Sequence, residues 1–158
     1  MKGMTQGERK ATMALASIFA LRMLGLFMII PVFAIYGKVL TGATPALIGL
    51  AIGIYGLTQA VLQIPVGLLA DRINRKTLII AGLLLFAVGG VVAALSSTIQ
   101  GVILGRAIQG SGAISAVVMA LLADLTREEQ RTKAMSTIGM SIGLSFAVAF
   151  ILGPLVAA

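Results

Sequence analysis

Two long stretches of this chain carry no charge, and a short basic stretch separates them. No Asp, Glu, Lys or Arg occurs from Val39 to Ala70, and none from Thr77 to Gly105. Between them stand Asp71, Arg72, Arg75 and Lys76. An apolar run of about 18 residues or more reads as a membrane-crossing helix. Each charge-free run is therefore read as a span, and the basic stretch as a tight turn at a membrane surface.

The rest of the composition agrees. Hydrophobic residues make up 59% of the chain and charged residues 11%, against roughly 25% charged in soluble domains. Mean hydropathy is +1.08, and a soluble core is not expected. A net charge of +7 invites a nucleic-acid reading. The cations, however, lie in short clusters between apolar runs and form no single patch, as expected of cationic loops on one side of a membrane. Cysteine and histidine are both absent, so no thiolate site and no imidazole base is available. No metal and no cofactor is expected. The first apolar run is long and lacks a small-residue cleavage site, so no removable signal peptide is expected.

The expected spans are 11–36, 45–70, 77–95, 99–124 and 134–156, after a polar N-terminal segment 1–10. Thr44-Pro45 can cap and start the second helix, and Pro65 is expected to kink it. Thr126-Arg127-Glu128-Glu129 has the form of a capping box and marks a helix start. Lys2, Arg9, Lys10, Arg72, Arg75, Lys76, Arg127, Arg131 and Lys133 fall on one side of this arrangement. Only Lys38 falls on the other. The positive-inside rule makes the first side, with the N-terminus, cytoplasmic. Gly49/Gly53, Gly101/Gly105 and Gly139/Gly143 have the spacing of close helix packing. The fold class is thus all-α, a polytopic transmembrane bundle of five spans.

Arg22 and Arg106 interrupt the first and fourth spans. Each lies on the order of 10–15 Å inside its helix end. A cation there costs about 2.5–3.5 kcal/mol on an insertion scale, and usually faces protein or a water-filled cavity. Each is read as a cavity residue or as a clamp on neighbouring carbonyls. Tyr55, Gln59 and Gln63 form a polar stripe at one-turn spacing on the second span. Such groups are costly against lipid, so they line a cavity or hydrogen-bond another helix. Ser141 and Ser145 repeat the pattern on the fifth span. No Asp or Glu lies within any span, so an intramembrane acid for proton coupling is not supplied here. The two arginines suit a substrate bearing negative charge.

Gly67, Asp71, Arg72, Arg75 and Lys76 match the G-x-L-x-D-R-x-G-R-[RK] signature of major facilitator superfamily transporters, with Asn74 where that family usually has Gly. The chain resembles the N-terminal part of such a transporter, and the turn has the family's position between the second and third spans. Arg106, Gln109, Gly110 and Gly112 match the fourth-helix R-x-x-Q-G-x-G pattern, which implies a role for Arg106, Gln109 and Gly110 in substrate or proton coupling. Gly153 and Pro154 match part of the G-P-x-x-G pattern of drug–proton antiporters, with Ala157 at the later Gly position.

The resemblance implies two six-helix halves, here five spans of the first, with the C-terminal half as intramolecular partner. It implies a secondary transporter moving a small-molecule substrate across a bacterial inner membrane by alternating access. An efflux-type drug or metabolite proton antiporter is the reading taken, and the expected partners are the substrate, the lipid bilayer and protons, not nucleic acid. A non-transporting membrane scaffold or assembly protein is the alternative. A surface binder of lipid or nucleic acid is disfavoured by the buried arginines.

Asp71 and Asp124 sit at helix C-termini, where an acid is unfavourable by roughly 0.3–1 kcal/mol. They therefore call for cationic partners. Arg75 is the favoured one, through a bidentate bond, with Arg72 and Lys76 left to head groups or water. Asn74 is expected to tolerate a left-handed backbone. Gly67, Asp71, Arg72, Arg75, Lys76 and Asp124 are read together as a latch that closes the cytoplasmic side.

Overall fold

The structure is a computed structural model and describes residues 3–156. Lys2, Ala157 and Ala158 lie outside the described residues. Six α-helices follow one another: α1 (Gln6–Tyr36), α2 (Pro45–Leu69), α3 (Arg75–Leu95), α4 (Ile99–Ser111), α5 (Ser115–Leu125) and α6 (Glu128–Val156). No strand forms among the described residues. Counting α4 and α5 as one, five helices are long and apolar enough to cross a bilayer. α1 and α6 begin ahead of their apolar runs, within the charged flanks.

The chain divides into two compact units, Phe33–Val117 and the pair of segments Met1–Val32 and Val118–Ala158. In the first, α4 packs against both α2 and α3. Large apolar side chains such as Ile64, Leu84 and Leu95 are left exposed. Against lipid tails such exposure carries no penalty, so helices associate through close packing and hydrogen bonds. Glycines supply the packing between α3 and α4. A Cβ at Gly89 would run into the Gln109 backbone, and one at Gly105 would lie 2.5 Å from the Ala93 nitrogen. Gly49, Gly53, Gly139 and Gly143 behave differently, since a Cβ at any of them meets nothing within 4 Å. Among the expected glycine pairs, only Gly101/Gly105 has close neighbours among the described residues.

The fourth span is not the continuous helix its apolar sequence implies. Gly112, Ala113 and Ile114 break it, and the Ile114 N–H bonds back to the Gly112 carbonyl at 2.9 Å. Gly112 packs against the Gly82 carbonyl, where any Cβ would collide. Non-helical backbone at membrane depth is tolerated where protein buries it, and Ala113 and Ile114 are 1% and 2% exposed.

The loops are fixed by local chemistry. Thr44 caps α2 by accepting from the Leu47 N–H at 3.2 Å, with Pro45 in the first turn. The helix runs through Pro65 to Leu69. Gly42 takes φ +76°, a left-handed turn open to glycine at little cost. Beside it, Thr41 exchanges backbone hydrogen bonds with Ser97 and Ile99, tying the α1–α2 loop to the α3–α4 loop.

In the second unit, α1 and α6 run parallel. Ser141 Oγ donates to the Ala16 carbonyl at 3.3 Å, and Ser145 Oγ to the Ala20 carbonyl at 2.9 Å. Both bonds join residues 125 positions apart, so the two helices keep one register. These serines bind a neighbouring helix, the second of the two readings open for polar groups in spans. Phe27 and Phe146 meet edge to face, 5.0 Å between centroids.

Candidate functional site

Arg106 is 1% exposed on α4. Its Nε donates to the Ala51 carbonyl of α2 at 3.3 Å, and its Nη1 to Gln109 Oε1 at 2.9 Å. The guanidinium carbon lies 4.9 Å from the centre of the Tyr55 ring, within the range of a cation–π contact. Tyr55 is itself buried and meets Phe86 edge to face. Its hydroxyl has no hydrogen-bond partner among the described residues. A buried cation is thus met by a carbonyl dipole, an amide oxygen and a π face. Among the described residues no carboxylate pairs with it.

Gly110 makes this contact possible. A side chain there would run into the Thr58 hydroxyl and the Tyr55 carbonyl. Its absence lets α4 approach α2 closely enough for Arg106 to reach Ala51. Arg106, Gln109, Gly110 and Tyr55 therefore form one cluster within Phe33–Val117. Gln59 and Gln63 lie half-buried further along α2. Arg22 is buried on α1, in the other unit.

In the basic turn, the Asp71, Arg72 and Ile73 N–H groups bond the Leu68 and Leu69 carbonyls, closing the end of α2. Asn74 then starts α3. Its φ and ψ are −56° and 121°, and its Oδ1 accepts from the Lys76 N–H at 2.9 Å. The turn does not call on the left-handed backbone that Asn74 could tolerate, and no described non-glycine residue has positive φ. Asn serves here as a helix cap, a role its side-chain oxygen suits. Arg75 Nη2 approaches Asp71 Oδ1 at 4.0 Å, and the Asp71 side chain is 73% exposed. Arg72 and Lys76 are exposed. A Cβ at Gly67 would touch only Ala116, at 3.9 Å. Asp124 ends α5 in the other unit, where it lines a cavity with Glu8, Thr126 and Arg127.

That cavity adjoins a pair the sequence reading missed. Glu8 Oε1 accepts from Arg127 Nε at 2.8 Å and from the Arg127 backbone N–H at 2.9 Å, and Oε2 accepts from Nη2 at 2.9 Å. The Glu8 side chain is 7% exposed. Glu8 also closes a capping box with Thr5, each accepting from the other's backbone N–H. The same sequence pattern at Thr126–Glu129 forms no such box. The Thr126 hydroxyl is spent on the Leu122 carbonyl, although α6 does start there, at Glu128. The Thr5-x-x-Glu8 pattern was a readable signal for the first box. Gly153, from the Gly-Pro pair, is buried against Pro31 of α1, whose ring a Cβ would strike.

The fold and these motifs define a class. The family model described as Major Facilitator Superfamily matches residues 15–158, and the chain belongs to that family. It is 65% identical over 153 residues to the inner membrane transport protein YajR of Escherichia coli, covering 97% of this chain and 34% of the relative. It is 48% identical to the transporter BU466 of Buchnera aphidicola, covering 94% of this chain and 38% of that protein. It is 32% identical to the quinolone resistance protein NorA of Staphylococcus aureus, covering 83% of this chain and 33% of that protein. The chain thus spans about a third of the length of these relatives.

Proposed function

We propose that this chain forms the first five spans of a secondary transporter that moves a small solute across the bacterial inner membrane by alternating access. The observation that carries the reading is Arg106, a buried cation in a spanning segment with no carboxylate partner among the described residues. Scaffolds have no need of such a group, whereas binding a solute repays it. Arg106, Tyr55, Gln59, Gln63, Gln109 and Gly110 are assigned to a substrate or coupling cavity, and Arg22 is assigned a substrate or coupling role of its own. Efflux by proton antiport is the mode favoured, supported by the similarity to the quinolone resistance protein and by Gly153-Pro154. The N-terminus is placed in the cytoplasm, and the basic turn with Asp124 acts as a latch on that side.

Inverted membrane vesicles carrying the full-length protein test this. Imposed proton gradients should drive uptake of at least one member of a panel of organic solutes. Arg106→Ala should abolish that uptake at an unchanged membrane level. Uptake that persists near wild type in Arg106→Ala would reduce Arg106 to a structural clamp.

A further inference from the structure

A cavity of about 320 Å³ opens between the start of α1 and the start of α6, lined by Met4, Arg9, Thr12, Met13, Lys133 and Thr137. Among the described residues that line it, Arg9 and Lys133 are cations and none is an acid. Neither Arg9 nor Lys133 pairs with a carboxylate among the described residues. The nearest acid in sequence, Glu8, is fully engaged by Arg127 and Thr5.

Thr12 is the unusual member. It is 2% exposed, and its hydroxyl has no hydrogen-bond partner among the described residues. Ser17, Thr58, Ser111, Ser136 and Thr137, all within helices, donate to the carbonyl one turn back. Thr12 does not, and a buried hydroxyl left so costs about 1–3 kcal/mol. The cavity therefore holds two cations and an uncommitted hydroxyl donor beside them.

Position adds to this. Arg9 stands two residues before the apolar run of α1, and Lys133 directly precedes that of α6. Because the two helices are parallel, both cations stand at the same end of this helix pair, beside the start of its apolar runs, where lipid head groups are expected. Met4 and Met13 give the cavity an apolar border. We propose that this cavity binds a phosphate group, with Arg9 and Lys133 neutralising its charge and the Thr12 hydroxyl donating to one of its oxygens. An anionic lipid head group and free phosphate share that chemistry. The proposal is independent of what the protein transports.

The test uses delipidated full-length protein in a neutral detergent. It is titrated separately with phosphatidylglycerol, phosphatidylcholine and inorganic phosphate, reading bound ligand by native mass spectrometry and the thermal midpoint. Phosphatidylglycerol should bind and raise the midpoint well beyond phosphatidylcholine. Arg9→Gln with Lys133→Gln should weaken binding about thirtyfold. Lys10→Gln removes an exposed cation that does not line the cavity, and should leave binding unchanged.

Thr12→Val carries a sign of its own. Without ligand it should raise the midpoint, because an unsatisfied buried hydroxyl is removed. With phosphatidylglycerol it should show about fivefold weaker binding. This variant keeps the test decisive even where the double variant folds poorly. Binding of inorganic phosphate with the same variant dependence, and no preference for phosphatidylglycerol, supports the site with a soluble source. Equal binding by wild type, Thr12→Val and the double variant overturns the proposal. So does a loss in Lys10→Gln as large as in the double variant, which would mean diffuse charge attraction.

Discussion

The side chain of Arg106 grips the backbone of a neighbouring helix at Ala51, Nε to carbonyl oxygen, at 3.3 Å. Its Nη1 holds Gln109 one turn along its own helix at 2.9 Å. A guanidinium makes both bonds at once because its donors are fixed in a planar fork. Lysine offers a single ammonium point. Arg106→Lys should therefore keep the charge yet destabilise the protein by about 1.5–3 kcal/mol, the range for a hydrogen bond to a charged group. Gln109→Ala should cost less, and the pair should be coupled in a double-mutant cycle by about 0.5–3 kcal/mol. Strictly additive thermal shifts would show that the two side chains do not act as a unit.

Neighbouring glycines on α3 should respond in opposite ways. Alanine at Gly89 meets backbone atoms of α4, whereas alanine at Gly90 meets only the flexible Gln109 amide, at 3.2 Å. Gly89→Ala should lower stability by about 1–3 kcal/mol, the usual cost of overpacking. Gly90→Ala should be close to neutral, since the Gln109 amide need give by only a few tenths of an ångström and alanine favours helix by ~1 kcal/mol. Thermal melts in one detergent check both. Equal losses would mean that α3 does not approach α4 through Gly89.

The latch reading gives Asp71, Arg75 and Asp124 each a role in closing the cytoplasmic side. Asp71→Asn, Arg75→Ala and Asp124→Asn should each impair transport by the full-length protein. Cysteines near the cytoplasmic ends of the spans should become more reactive in each variant. Asp71 sits 4.0 Å from Arg75 with a largely exposed side chain, so Asp71→Asn should cost under about 1 kcal/mol of stability while altering transport. Normal transport and unchanged labelling in all three variants would leave these charges with a topological role alone.

Topology is open to direct labelling, because this chain has no cysteine. A single cysteine at Thr41 or Ser97 should react with an impermeant thiol reagent in intact cells. One at Asn74 or Gln130 should react only after permeabilisation. The reverse pattern would invert the orientation.

Much of the architecture was legible because bilayer burial imposes length and apolarity on whole segments. The two charge-free runs and the placement of Thr44-Pro45 at a helix start needed nothing more. The break at Gly112–Ile114 was hidden for the same reason, since the residues around it are as apolar as the helices they separate. It depends on Gly112 meeting Gly82 of another helix, which no local pattern records. Glu8 and Arg127 were missed because they lie 119 residues apart. In sequence they look like ordinary surface charges. The cluster of Arg106, Gln109 and Gly110 was readable from one-turn spacing, whereas the roles of Tyr55 and Ala51 in it came from packing. Asn74 was read by its backbone tolerance, although its side chain does the work.

The two serine bonds between α1 and α6 have a mechanical consequence. Sliding one helix past the other by a single residue means a shift of about 1.5 Å and a turn of about 100°. That displacement would break both hydroxyl contacts together, and would drive the ring of Pro31 away from Gly153. The two bonds act like a key in a shaft, and favour α1 and α6 moving together over sliding past each other.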